Sequence, residues 1–140
     1  MSDYIIDEAS ISLPSGWFDR SLNVLGPEPT QDEFKVLISR NEQNGRSLDS
    51  FVDQQVKDLS QRLPWFEIQR RGERTVAGAR ALEVCSTFRD GKAEMFQHQV
   101  ILAARGRFIT ITAASLKRVD EACSKTLEQL LATARFQTDR

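Results

Sequence analysis

Few side chains in this sequence could do chemistry, and their neighbours decide what each can do. His98 is the single histidine. Strand-like alternation places it with Phe96, Val100 and Leu102, and a lone imidazole on an apolar face reads first as a hydrogen-bonded core residue. A Ser-His-Asp or Cys-His set would have to assemble in space, because no local signature carries one. Asp49, Asp53 and Asp58 lie along the polar side of a predicted helix. Nothing in the pattern lifts one carboxyl pKa above another, so they read as a solvated flank rather than an acid–base pair. Arg70, Arg71 and Arg74 form a small basic cluster in a predicted turn and read as solubilising rather than phosphate-binding. Cys85 and Cys123 read as packed, reduced thiols. Trp17 and Trp65 flank proline-containing turns and are expected to anchor those turns to the core.

Two glutamines stand out from this background. On a helical wheel Gln55 lies inside the apolar arc, three residues after Val52 and four before Leu59. Gln99 shares a strand face with Met95 and Ile101, opposite Phe96 and Val100. A buried amide without partners costs about 1–3 kcal/mol, so each is either a satisfied core amide or a polar anchor in an apolar groove. Leu22, Val24 and Leu37 alternate against polar or core-facing neighbours and could complete such a groove.

The elements that position these residues follow from periodicity. Ala9, Ile11 and Leu13 alternate in a strand that Pro14-Ser15-Gly16 stops. A second strand spans residues 20–25, with Leu22 and Val24 on one face. Gly26-Pro27-Glu28-Pro29 is a loop, because its prolines cannot hold a ladder. A third strand spans 33–40, with Phe34, Val36 and Ile38 on one face and Leu37 on the other. Ser47 is an N-cap for a helix whose stripe is Leu48, Phe51, Val52, Val56, Leu59 and Leu63, ended by Pro64. A strand follows from Phe66, turned by Gly72, and another runs from Arg80 to Phe88. Asp90-Gly91 predicts a type I′ hairpin into a strand over 94–104. Arg105-Gly106 turns that strand into a partner over 108–114. A last helix, 118–134, carries Val119, Ala122, Cys123, Leu127, Leu130, Leu131 and Ala134. The order β-β-β-α-β-β-β-β-α predicts an α+β fold: an antiparallel sheet, both helices on one face, the other face free.

Composition sets the outer limits. The chain has 140 residues, 40% hydrophobic, with 19 basic and 20 acidic side chains and a formal charge of −1. That fits one domain over residues 1–140, large enough to hold together without a metal or disulfide. Near-neutrality gives no overall basis for binding nucleic acid. One histidine and two cysteines are too few for a His/Cys structural zinc site. No phosphate loop, Cys-x-x-Cys, Gly-x-Ser-x-Gly or His-Glu-x-x-His is present. The N-terminus has no signal-peptide pattern, and the apolar runs fall far short of the ~20 residues that span a bilayer. A cytoplasmic protein without direct membrane insertion is expected.

An ordered set of residues adds a resemblance. Glu8-Ala9, the Pro14-x-x-Trp17 corner, Ser21-Leu22-Asn23-Val24, Ile38-Ser39-Arg40, Gln54-Gln55, Leu63-Pro64-x-Phe66 and Gln99-Val100 together resemble the Eag (effector-associated gene) chaperones of bacterial type VI secretion systems. Those chaperones belong to the DcrB-like family, whose fold is similar to PsbP. The likeness runs from Tyr4 to about Phe136 and departs in the loops at 26–31 and 41–46 and in the shorter tail. It implies a chaperone that holds the N-terminal transmembrane segments of an Rhs- or PAAR-containing effector soluble until loading on the VgrG spike. It also implies a homodimer whose curved, concave sheet surfaces embrace apolar helices, with no cofactor, metal or catalytic step. Carried over position by position, the groove is Leu22, Val24, Leu37, Gln55, Leu63, Met95 and Gln99. The alternatives are a DcrB-like or PsbP-like accessory protein for another protein partner, and a small-molecule enzyme built around His98.

Overall fold

Three consecutive aliphatic residues in one strand, Val100, Ile101 and Leu102, are all buried, and only a sheet covered on both faces can bury such a run. The computed structural model describes residues 2–5, 10–16, 22–26, 34–116 and 120–135. Its strands are β1 (Ser2–Ile5), β2 (Ser10–Leu13), β3 (Leu22–Leu25), β4 (Phe34–Glu42), β5 (Glu67–Val76), β6 (Ala79–Asp90), β7 (Ala93–Ala104) and β8 (Arg107–Leu116). Its helices are α1 (Leu48–Arg62) and α2 (Asp120–Ala132). β1 and β2 form a two-stranded sheet, and the other six lie in the order β3-β4-β8-β7-β6-β5, every pair antiparallel. This is the α+β antiparallel architecture that the sequence predicts, with β1 added.

The arrangement of the helices differs from expectation. Cys123, Leu127 and Leu131 of α2 pack with Val36, Ala81, Cys85, Phe96, Val100 and Ala113. Phe51 and Val52 of α1 pack instead with Leu82, Val84, Ile101 and Phe108. Ala81 and Leu82, like Val100 and Ile101, are neighbours along a strand and so point to opposite faces. The helices therefore cover opposite faces, not one. The physical reason is that β6 and β7 are apolar on both sides, so neither face can be left bare over them.

Turns and caps show where local chemistry decides. Ser47 caps α1 by accepting from the Ser50 amide at 3.1 Å. Pro64 forces Leu63 into extended backbone and ends the helix there. Gly72 does not turn the chain: β5 runs straight through it, and the hairpin closes at Ala77-Gly78, where both residues have positive φ. The Arg105-Gly106 turn has φ of 53° and 76°, as a type I′ turn needs. The preceding hairpin turns on Gly91-Lys92 rather than Asp90-Gly91, since Asp90 pairs with Ala93 and only Gly91 has positive φ. That shift by one residue is the II′ pattern, with glycine first. Trp65 is 78% exposed at φ 58° and is not buried in the core. Its turn is held by Arg89, whose amide donates to the Pro64 carbonyl at 2.9 Å and whose guanidinium lies over the indole. Ala9, Trp17, Arg20, Ser21, Glu33, Arg118 and Val119, to which the sequence assigns roles, lie outside the described residues. Among the described residues no helix is long and apolar enough to cross a membrane.

Candidate functional site: the partly covered face of the sheet

Register brings the predicted groove residues onto one face. Val24 lies opposite Leu37, Leu37 opposite Thr112, Thr112 opposite Gln99, and Gln99 opposite Val84. The row beside it runs Leu22, Ser39, Thr110, Ile101 and Leu82, and Met95 shares the face two pairs beyond Gln99. This is the face on which α1 packs, because Leu82, Val84 and Ile101 belong to both sets.

The helix covers only part of it. Asp49 binds Arg80 through two contacts of 3.0 Å, and Asp53 pairs with Arg71. These pairs tie one flank of α1 to the β5–β6 end of the sheet. At 100° per residue, Phe51 and Gln55 sit on the other flank, toward β8. Phe51 accordingly stacks on Phe108 of β8 at 4.4 Å between centroids. Beyond that flank lie the small side chains Thr110, Thr112 and Ala114, all buried. Its outer wall is the edge strand β3, where Leu22 is 54% and Val24 58% exposed. Leu37, Gln55, Leu63, Met95 and Gln99 are half-buried. The strand residues Leu22, Val24, Leu37, Met95 and Gln99 are thus brought to one face. Gln55 borders it from the helix, and Leu63 lies at the end of α1, which packs on that face.

The amides differ in how they are satisfied. Gln99 Nε2 donates to Thr112 Oγ1 across the strands at 3.3 Å. Gln97, two residues before it and therefore on the same face, was legible by the same alternation but did not stand out in the sequence. Its Oε1 is shut off from solvent and has no hydrogen-bond partner among the described residues. The hydroxyl of Ser86, opposite it on β6, is in the same condition. Ile68, 41% exposed, pairs with Ser86 and so adds apolar surface to this face near its β5 edge.

The titratable cluster lies on the other face, under α2. His98, 1% exposed, holds Glu83 Oε2 through Nε2 at 2.9 Å and meets Ser124 Oγ through Nδ1 at 2.9 Å. An ionised carboxylate only accepts, so Nε2 carries the proton. Arg74 donates to Glu83 Oε2 at 2.8 Å and binds Glu128 with both Nη atoms, Nη2 at 2.8 Å. Arg70 approaches Glu83 at 3.5 Å. Burial would raise the Glu83 pKa, but hydrogen bonds from His98 and Arg74 outweigh it and hold the carboxyl below its usual range. Arg74 does the same to Glu128. Glu83, His98 and Glu128 bring three ligand atoms within 4.8 Å of one another, but the Arg74 guanidinium already bridges the two carboxylates. The cluster is a brace joining β5, β6, β7 and α2. The arginines, expected in a turn as solubilising charge, are strand residues that neutralise specific carboxylates. His98 is the hydrogen-bonded core residue that its apolar face implies. Cys85 and Cys123 are buried and not joined in a disulfide, and burial raises the Cys85 pKa.

This architecture matches known proteins along its length. The DcrB family model matches residues 8–133. The chain belongs to the DcrB family. It is 23% identical over 138 residues to a Pseudomonas aeruginosa protein named Effector EagT6, with 94% of this chain and 96% of that one covered. Its fold is similar to that of PA94, a Pseudomonas aeruginosa protein described as of unknown function, at a TM-score of 0.81 and 20% identity over 99% of both chains. More distant likenesses are LpqN of Mycobacterium tuberculosis (TM-score 0.55, 14% identity, 82% of this chain and 80% of that one) and the cyanobacterial PsbP of Synechocystis sp. PCC 6803 (TM-score 0.52, 12% identity, 97% and 92%). The expected DcrB membership and PsbP-like fold are borne out.

Proposed function

We propose that this DcrB-family chain is a cytoplasmic type VI secretion chaperone. It binds and shields the N-terminal transmembrane helices of an Rhs- or PAAR-type effector before the effector is loaded on the VgrG spike. The observation that carries the reading is the uncovered part of the α1 face, where Leu22 and Val24 stand more than half exposed beside Leu37, Met95 and Gln99. Full-length likeness to EagT6 supports the same reading. An apolar helix in water exposes about twenty side chains, each worth ~1.5–3 kcal/mol when fully buried, so aggregation is its default fate. Leu, Val and Met supply non-directional burial, and the unbranched Met95 adapts to irregular surfaces. The amides of Gln55 and Gln99 fix register by hydrogen bonding to polar groups of the client. Two copies, paired as a homodimer, hold more than one helix without either needing a larger core. Binding and release require no covalent step, metal or nucleotide, and the chain acts without catalysis.

The test is co-expression with the N-terminal fragment of an effector that begins with apolar helices. The expected result is a soluble complex that survives size-exclusion chromatography, and loss of capture by Leu22→Asp combined with Gln99→Ala. Capture unaffected by that double substitution overturns the assignment of the groove. No capture of any such fragment, with a soluble protein partner recovered instead, favours an accessory role without transmembrane clients.

A further inference from the structure

We infer that Trp65 and Arg89 form a second contact site, which takes the folded part of the effector adjoining the helices held in the groove. The inference rests on the chaperone reading above and adds a partner surface that lies off the α1 face. Pro64 followed by a residue at positive φ is the pattern of a type II turn, whose third position favours Gly or Asn. Here that position carries a tryptophan, at φ 58° and 78% exposed. A bulky side chain in left-handed backbone is strained, and glycine would remove the strain and the exposed ring together. The indole is also braced. Arg89 donates its amide to the Pro64 carbonyl at 2.9 Å, and its guanidinium lies over the ring, 5.6 Å from the centroid. Tryptophan and arginine lead the residues that anchor protein interfaces, and a ring already fixed loses little freedom on binding. Two-residue alternation from Cys85 puts Arg89 on the α2 side of β6, so the indole sits against that side and not in the groove. The groove ends close by, since Phe88, one residue before Arg89, pairs with Met95. The segment of a client that leaves the groove at this end therefore passes Trp65. The cation–π contact uses the charge of the guanidinium and not its N–H donors, so Arg89, itself exposed, can still fork a carboxylate. The matching surface is an indole-sized apolar pocket with a carboxylate at its rim. Charge at this end of the sheet is mixed, Arg62, Arg89 and Lys92 against Glu67, Asp90 and Glu94. That balance suits a folded protein surface and gives an anionic bilayer no excess of cations to attract.

The experiment co-expresses the full chain with two fragments of an effector that begins with apolar helices. One fragment ends after the last helix and the other continues through the next folded domain. Exchange of the bound chain for excess fluorescently labelled native protein reads the dissociation rate of each complex. The expected result is that Trp65→Gly leaves the longer fragment about thirtyfold faster than the native chain does. It leaves the helix-only fragment at the native rate, which also shows that the variant is folded. Arg89→Ala gives a smaller increase, on the longer fragment alone. A native rate for Trp65→Gly on the longer fragment overturns the inference and leaves the chaperone reading standing. Equal acceleration on both fragments also overturns it, by placing Trp65 in the groove. Failure of the native chain to form a complex with either fragment overturns the chaperone reading and this inference with it. Flotation of the native chain with phosphatidylglycerol vesicles, lost in Trp65→Gly while both fragments dissociate at native rates, assigns the indole to a bilayer and overturns the inference as well.

Discussion

Replacing Leu22 and Val24 together by alanine separates a binding surface from a structural one. Both side chains sit on β3, the edge strand, and are 54% and 58% exposed in the free chain. Full burial of an aliphatic side chain is worth ~1.5–3 kcal/mol, so a client that covers the exposed half of each gains ~0.8–1.6 kcal/mol per residue. Alanine keeps Cβ, which leaves a loss of about 2 kcal/mol for the pair, or roughly thirtyfold in Kd. Folding should barely notice, because exposed substitutions of this kind stay within about 0.5 kcal/mol each. Leu25 supplies the control. It is 48% exposed on the same strand, but it pairs with Val36 and so faces the α2 side. The assay is peptide anisotropy with a labelled apolar helix, run beside urea unfolding of each variant. The expected outcome is a roughly thirtyfold weaker complex for Leu22→Ala/Val24→Ala, native binding for Leu25→Ala, and unchanged unfolding midpoints. Equal losses from Leu25→Ala and from the pair would refute the reasoning, since only one face is proposed to bind. So would native affinity in the double variant.

Other consequences follow from the brace, the α1 interface and the turns. Glu83 and Glu128 are held below the usual carboxylate range in the folded chain, so their contribution to stability is complete above the unfolded pKa near 4.5 and is lost as pH falls through the lower folded values. Circular dichroism against pH should show acid unfolding beginning in that window, and Arg74→Ala should move it to higher pH by releasing Glu128. Phe51→Ala removes a buried ring stacked on Phe108 and should cost about 3–5 kcal/mol in urea unfolding. Gly106→Ala meets open space, but at φ 76° it should still cost about 1 kcal/mol, read as a lowered thermal midpoint.

The parts of this fold legible in the sequence are those fixed by local chemistry or by a strict period of two. Ser47 and Pro64 bound α1 as their side chain and ring dictate. Alternation pairs Leu22 with Val24 and Met95 with Gln99 and sets Leu37 against Val36, while the strand register joins these sets on one face. Long-range choices were less legible. Gly72 looks like a turn, yet pairing with β6 carries the chain straight through it. Arg70, Arg71 and Arg74 look like free surface charge, because their partners Asp53, Glu83 and Glu128 arrive from other elements. The placement of the helices on two faces was encoded in Val100-Ile101-Leu102, a run that alternation alone cannot assign to one side. The Ser124–His98–Glu83 chain needs α2 docked on β7 before any of it exists, and no spacing in the sequence announces that contact.

The two faces of the sheet are built to different standards, and the difference bears on function. Under α2 the aliphatic core is backed by a charged brace in which Glu83 and Glu128 are held by Arg70, Arg74 and His98. That face is closely packed, although Ser115 Oγ is buried there without a hydrogen-bond partner among the described residues. On the other face α1 is pulled toward β5 and β6 by its Asp49 and Asp53 pairs, β3 and β4 are left with half-covered leucine and valine, and Gln97 Oε1 on β7 and Ser86 Oγ on β6 are unanswered among the described residues. A short edge strand reading Leu-Asn-Val-Leu, unprotected by Lys or Pro, is a liability for a chain that remains alone. Charged residues at positions 22 and 24 would remove that hazard without disturbing any buried contact. Their absence fits the proposed apolar client on this face, as does the tethering of α1 to the β5–β6 side by Asp49 and Asp53.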